Sequence, residues 1–226
     1  MTESYPQKWL SVMTTGEAVA AELRLKIING DIEAEACLTE NQVAKQFNVS
    51  RSPVRDAFKL LRQDQLIRLE RMGAGVLSFG DAERSEIYDL RIMMESFAFA
   101  RIQDDERAAL AKEMRKHLEM MKVAVQFEDA EAFTEHDILF HEVLINATKH
   151  RSLLSSWNNI KPILLCLILL SMRKRMKEQP EDFKRIHENH EVYAQAVADN
   201  DTQLLKEAFH RNFDDVGDKI NAMFLR

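Results

Sequence analysis

Cysteine is scarce in this chain, with only Cys37 and Cys166 among 226 residues. Two thiols so far apart, at no metal-ligand spacing, exclude a disulfide framework and a thiolate zinc site, and both read as small buried apolar residues. Glycine and proline are also few, six and four. Beyond Gly80 there is no proline until Pro162 and no glycine until Gly217, which excludes a turn-rich β domain there. Long apolar runs are missing too. The longest, Ile163 to Met172, broken only by Ser171, is half of the ~20 residues needed to span a bilayer. The N-terminus lacks the charged-then-apolar pattern of a signal peptide, so the expectation is a cytoplasmic protein with no membrane partner. No fixed-period repeat or low-complexity segment occurs.

A basic excess is lacking as well: the net charge is -6. The acidity belongs to one part of the chain. Residues 1 to 80 carry ten Lys/Arg and ten Asp/Glu, leaving 21 against 27 for the remainder. Between residues 51 and 71 lie six basic side chains (Arg51, Arg55, Lys59, Arg62, Arg68 and Arg71) against Asp56, Asp64 and Glu70. That local positive footprint is compatible with nucleic-acid binding. The pattern of the sequence changes near residue 79, which predicts two domains, 1–78 and 79–226.

The most informative stretch present is Leu38 to Arg62. Thr39 with Gln42 makes an S/T-x-x-E/Q capping box, so a helix starts there and carries Val43, Ala44 and Phe47 on one face. Asn48-Val49 breaks it. Ser50 or Ser52 can cap a second helix, Pro53 is tolerated only in its first turn, and Val54, Ala57, Phe58, Leu60 and Leu61 continue an apolar stripe. Ser50, Arg51, Ser52 and Arg55 gather at the start of that helix, where hydroxyls, helix N–H groups and guanidinium forks can meet phosphates or guanine edges. Upstream, Ala18 to Ile28 reads as an amphipathic helix closed by Asn29-Gly30. Downstream, Leu66 to Arg71 reads as a strand, Met72 to Gly75 as a turn, and Val76 to Ser78 as a returning strand. Three helices followed by a β-hairpin make a winged helix-turn-helix, with Arg71 at the wing tip in reach of the DNA backbone or minor groove.

Beyond Gly80 the apolar residues recur at helical spacing, with helices predicted over 81–101, 104–126, 129–147, 152–176, 180–199 and 201–224. The fold class is therefore mainly α: an N-terminal winged helix-turn-helix and a C-terminal all-helical bundle. Asp137 and His141, at i and i+4, point to one helix face about 5–6 Å apart at Cβ, a spacing that suits a divalent metal or an ordinary surface pair. His190 stands one turn before Tyr193, Ala194 and Val197 on a later helix. The run Ile163 to Met172 reads as intramolecular core or a dimer face, and Arg173 to Lys177 as a solvated helix end.

Residues Leu23-Arg24-x-x-Ile27-x-x-Gly30-x-Ile32, Leu38-x-Glu40-x-x-Val43-Ala44, Val49-Ser-Arg-Ser-Pro-Val-Arg55 and Gly73-x-x-Val76 resemble the GntR family of bacterial transcription regulators. Arg91-x-x-Met-Glu95, Asp137-x-x-Phe-His141, Asn189-His190, Asn200-Asp201 and Ala208-Phe209 resemble the all-helical effector domain of its FadR-type subfamily. That resemblance implies a homodimeric regulator that binds double-stranded operator DNA and answers to a small molecule. It places DNA contacts on Asn41, Ser50, Arg51, Ser52, Arg55, Arg71 and Gly73. It places effector contacts on Arg91, Asp137, His141 and His190, and a zinc or nickel site on Asp137, His141 and His190. A fourth ligand falls on Asn212, where a histidine is expected and a weaker carbonyl donor stands. Arg91 is expected either in that pocket, holding a carboxylate, or in a surface i,i+4 pair with Glu95. Further stretches, Tyr5 to Ser11, Ile67 to Ala74, Trp157 to Pro162, Leu169 to Arg173 and Asn212 to Val216, are similar to the sugar-acid-responsive part of the family. They imply a repressor released by a sugar acid such as gluconate, with another small carboxylate as the alternative. One departure stands out: Ala34-Glu35 occupies a loop where the family often has Pro-Gly, expected on the solvent side with little functional consequence. Two other classes compete, a metal-dependent hydrolytic enzyme, for which no motif places a general base, and a winged-helix module that binds proteins.

Overall fold

A capping box at Thr14 and Glu17 opens the first long helix, three residues earlier than the apolar pattern alone suggests. The computed structural model describes residues 4–71 and 73–212, with the side chains at 211 and 212 outside the description. A short helix α1 (Gln7–Leu10), unforeseen in the sequence, precedes α2 (Thr15–Ile28). The N-terminal part continues as β1 (Cys37–Leu38), α3 (Glu40–Phe47), α4 (Arg51–Gln63), β2 (Ile67–Glu70) and β3 (Gly73–Val76). The helices that follow are α5 (Asp81–Phe99), α6 (Asp104–Gln126), α7 (Ala130–Ala147), α8 (Arg151–Glu178), α9 (Asp182–Asp199) and α10 (Thr202–Asn212). They match the expected spans to within a few residues, except the last, whose expected end lies outside the described residues.

The chain forms two compact units, one reaching to Arg84 together with Pro162–Leu167, the other formed by Ser85–Lys161 and the residues from Ile168 onward. In the first, α2 is buried on more than one face, with Val19, Ala20, Leu23, Leu25, Ile27 and Ile28 at 4% exposure or less. It is the central helix of its unit, which corrects the amphipathic reading. Arg24 on α2 donates from Nε and Nη2 to Asp64 Oδ2 at the end of α4, at 2.9 and 2.6 Å, both side chains being buried. In α4, Ser50 is the N-cap residue but makes no side-chain cap bond, and Pro53 sits third in the helix, where no intrahelical N–H partner is lost. Val54, Ala57, Phe58 and Leu61 turn inward.

The wing differs from expectation. Ile67 pairs with Val76 and Glu70 with Gly73, so the glycine-rich stretch is strand and the turn is shorter than four residues. The short strand β1 adds on the other side, giving the order β1-β3-β2. Gly73 has φ +145°, and a Cβ there would lie 2.3 Å from the Leu38 carbonyl oxygen. A Cβ on Gly75 would lie 2.6 Å from Glu70 Oε1. Gly73 serves close approach to the neighbouring backbone, a use that a turn-based reading of glycine misses, whereas at Gly75 the neighbours are the ends of flexible side chains. The Ala34-Glu35 loop lies on the solvent side as expected. Glu35 takes φ +65°, where a side chain costs about 1–2 kcal/mol and the family's glycine would not, and its carboxylate accepts from Arg68 Nη2 of the wing at 2.8 Å.

In the second unit, Asp129 caps α7 through Ala132 N–H, and His150 Nδ1 caps α8 through Leu153 N–H. Along α8, which contributes to both units, the apolar run is buried at Ile163, Leu164, Cys166 and Leu167 of the first and at Ile168, Leu169 and Met172 of the second, so it is core. By length and hydropathy α8 could cross a membrane, yet half of its most apolar window is packed inside the protein, as in the core helix of a bundle. Arg173 and Arg175 pair with Glu131 and Asp182, so the basic end of α8 is only partly solvated. Cys166 is buried as expected and Cys37 is exposed, a correction that follows from its place on the edge strand β1. Phe140, Tyr193 and Phe209 stack edge to face, at 5.8 and 5.3 Å between centroids, joining α7, α9 and α10. Replacing Arg24 by Ala strands Asp64 as a buried unpaired charge, and urea unfolding is expected to show a loss of about 3–5 kcal/mol, with Arg24→Lys recovering part of it.

Candidate functional site

Two constellations carry chemistry. The first is a concavity of about 560 Å³ on the N-terminal unit, bounded by Asn41 of α3, Arg51, Arg55 and Lys59 of α4, and Arg71 and Gly73 of the wing. Of the sequence-expected contact residues, Asn41, Arg51, Arg55, Arg71 and Gly73 are thus brought together, while Ser50 and Ser52 are exposed at the start of α4 and do not line the concavity. The cations there are more restrained than the sequence count suggests. Arg55 Nε donates to both oxygens of Glu40 at 2.9 Å, Arg68 is held by Glu70 and Glu35, and Lys59 by Asp56. Arg51 and Arg71 have no ion pair among the described residues. Gly73 owes its identity to the crowding against Leu38 whether or not DNA approaches it.

The second constellation is buried among α5, α7 and α9. Asp137 and His141, one turn apart on α7, meet His190 of α9, and the three offer ligand atoms within 4.8 Å of one another. Arg91 and Glu95 of α5 complete the group, and all five residues are 6% exposed or less. The surface alternative for Arg91 is thereby corrected: the i,i+4 pair with Glu95 exists, but inside the protein. Glu95 uses both oxygens, Oε1 accepting from Arg91 Nε at 2.8 Å and Oε2 from His141 Nδ1 at 2.8 Å. Sequence reasoning treated Glu95 only as a partner of Arg91, and its bond to His141, 46 residues away, has no sequence signal.

These bonds orient the imidazoles. A carbonyl only accepts, so His190 Nδ1–H donates to Ile186 O at 2.8 Å and turns Nε2 toward Asp137 Oδ1, 3.1 Å away. His141 likewise spends Nδ1–H on Glu95, and among the described residues its buried Nε2 has no hydrogen-bond partner; nor has Asp137 Oδ2, with Arg91 Nη2 3.6 Å away. Burial pushes the Glu95 carboxyl up, but His141 and Arg91 outweigh it and hold it at about 2. Burial likewise opposes ionisation of Asp137, and the His190 hydrogen bond with the Arg91 charge hold it below the usual carboxylate range. Burial and Arg91 push His141 down, toward neutral imidazole. Two ionised carboxylates, Glu95 and Asp137, thus face one guanidinium in a low-dielectric site. Asp137 is balanced by what lies between it and the Nε2 atoms of His190 and His141, a proton or a cation. One carboxylate and two imidazoles, each imidazole backed by an acceptor on its other nitrogen, fit a zinc or nickel ion. Asn212, the expected fourth ligand, has its side chain outside the described residues. A cavity of about 420 Å³ lies beside this group, lined largely by Leu118, Met121, Val125, Phe133 and Phe183, and reaches the cluster through His190. Arg91, Asp137 and His141 do not line it.

Above pH 4.5, the ordinary glutamate value, ionised Glu95 contributes its full stabilisation, which is lost as the pH falls toward 2. Urea unfolding across this range is expected to show falling stability in the parent chain. Glu95→Ala, about 3–5 kcal/mol less stable at neutrality for leaving Arg91 unpaired, is expected to lack that contribution to the slope.

Comparison with known proteins identifies the family. Residues 15–76 match the family model described as bacterial regulatory proteins, gntR family, and residues 86–215 match the FCD domain. The chain is 48% identical over 221 residues to the gluconate operon transcriptional repressor of Bacillus subtilis (strain 168), covering 98% of this chain and 91% of that protein. It is 47% identical, with the same coverage, to the protein of that name from Bacillus licheniformis. Among solved structures, E. coli McbR/YncC shares the fold with a TM-score of 0.60 at 18% identity, over 94% of this chain and 98% of that one. The chain belongs to the gntR family of bacterial regulatory proteins, with an FCD domain after its helix-turn-helix, and is a ligand-responsive DNA-binding transcription regulator and not an enzyme.

Proposed function

We propose that this regulator is a cytoplasmic homodimeric repressor of sugar-acid utilisation genes, released from its operator by gluconate or a close derivative. The observation that carries the ligand class is the buried set of Asp137, His141 and His190 beside Arg91, together with near full-length similarity to two proteins named gluconate operon transcriptional repressors. A divalent ion held by those three residues supplies Lewis-acid attraction for carboxylate and hydroxyl oxygens. Arg91 adds a positive guanidinium near Asp137, and Glu95 fixes the orientation of both Arg91 and His141. A polyhydroxy carboxylate has the oxygens to satisfy such a site. In the N-terminal unit, the start of α4 enters the major groove, Ser50, Ser52 and the helix N–H groups meet phosphates, Arg51 and Arg55 read phosphates or guanine edges, Asn41 assists from α3, and Arg71 with Gly73 approaches from the wing. Two copies place two such helices on a near-palindromic operator. Helix α5 is favoured as the dimer element, since Leu90 and Met93 remain exposed on it, while the apolar run of α8 is internal.

Release requires the effector to favour the DNA-free arrangement, with a coupling of about 1–3 kcal/mol, or about 5–150-fold in operator affinity. Gel-shift titration of operator DNA is the direct test. Gluconate is expected to weaken binding within that range, and chelation or His141→Ala with His190→Ala to abolish the response while operator binding persists. Replacing Arg51 and Arg55 together by Ala is expected to remove operator binding with the fold retained by circular dichroism. Binding unchanged by gluconate but weakened by another small carboxylate would replace the ligand, and binding indifferent to Arg51 and Arg55 would sink the DNA reading.

A further inference from the structure

Among the cations of the N-terminal concavity sit two carboxylates, Glu70 of β2 and Glu40 in the first turn of α3. Arg55 Nε donates to both oxygens of Glu40 at 2.9 Å, linking the two helices of the helix-turn-helix. The Arg55 side chain is 61% exposed and that of Glu40 31%, so neither is in the core. Exposed pairs of this kind add little to stability. A carboxylate in a surface that meets phosphates also weakens electrostatic attraction to DNA of any sequence. Stability and general DNA affinity therefore give no reason for Glu40, and the geometry of the bond supplies one. It engages Nε and leaves the two terminal nitrogens of the Arg55 fork available. A guanine edge is read by two donors presented together, and a long side chain already held in place loses less rotamer freedom on binding.

We infer that Glu40 is a positioning residue for sequence discrimination: it aims the terminal nitrogens of Arg55 at a guanine edge and lowers non-specific binding through its own charge. The inference rests on the reading that α4 meets operator DNA. Arg68 shows the contrast, since Glu70 and Glu35 hold its Nε and one terminal nitrogen, which leaves no fork to present. Released from Glu40, Arg55 becomes a mobile phosphate binder.

The two effects have opposite signs, which makes the test sharp. Full-length protein carrying Glu40→Ala, Glu40→Gln or Arg55→Ala is titrated against the operator, operators with single base-pair changes, and random DNA at several salt concentrations. Glu40→Ala is expected to bind random DNA more tightly than the parent and to lower the operator-to-random ratio tenfold or more. Its loss of discrimination is expected to fall at the same G·C pair in each half-site that Arg55→Ala ceases to discriminate. Glu40→Gln, which keeps an acceptor oxygen without the charge and preserves the start of α3, is expected to show an intermediate ratio with an unchanged melting temperature. Equal weakening of operator and random DNA by both Glu40 variants, or discrimination unchanged at every position, would overturn the role of Glu40 while Arg55-dependent binding still upholds the DNA reading. Operator binding unchanged in Arg55→Ala would overturn the DNA reading itself.

Discussion

The buried group of Arg91, Glu95, Asp137, His141 and His190 is the constraint on which the second unit turns. Five ionisable side chains out of water cost far more than any single hydrogen bond returns, so each must be matched by a neighbour. Glu95 does most of the matching, because its two oxygens separately satisfy a cation on its own helix and an imidazole on α7. His190 is matched by a main-chain carbonyl of its own helix. What stays unmatched among the described residues is Asp137 Oδ2 and His141 Nε2, both on α7. The same bonds that tie α5, α7 and α9 together thus leave Asp137, His141 and His190 with ligand atoms within 4.8 Å of one another.

The N-terminal unit solves the reverse problem, presenting cations to solvent without scattering them. Its apolar framework is ordinary: α2 at the centre, the inner face of α4 against it, and Arg24 with Asp64 closing the end. Around that framework the carboxylates of Glu35, Glu40, Asp56 and Glu70 each take a basic partner, while Arg51 and Arg71 are left for a ligand among the described residues. An acidic chain can bind a polyanion under this arrangement because binding depends on the charge at one face, and the excess acid lies beyond residue 80. Glu35 illustrates how a loop departure acquires a consequence: a residue in a backbone conformation suited to glycine reaches across to the wing and restrains Arg68.

Much of the architecture was legible in the sequence, for local reasons. The capping box at Thr39 and Gln42, the placement of Pro53 in the first turn of α4, and the helical spacing beyond Gly80 are short-range signals, and the helices they announce are present within a few residues of the expected ends. The wing was misread because a glycine such as Gly73 has two physical uses, turn formation and close approach, and the sequence does not say which. The two-residue strand β1 was missed because its identity depends on pairing with β3, which lies some 36 residues ahead: Leu38 faces Ala74.

The site shows the same division. Asp137 and His141 were paired by their spacing on one helix, and family resemblance added His190 and Arg91, but burial of the group and the part played by Glu95 follow from three helices meeting. By itself the sequence determined the helices, the order of the two parts, the residues available for chemistry and the location of the charge, because each depends on neighbours a few positions apart. Tertiary structure decided which of those residues share a partner, which imidazole nitrogen faces the carboxylate, which arginines are held by acids, and that the apolar run of α8 is interior. Those are distances between atoms remote in the chain, and they exist only once the helices have packed.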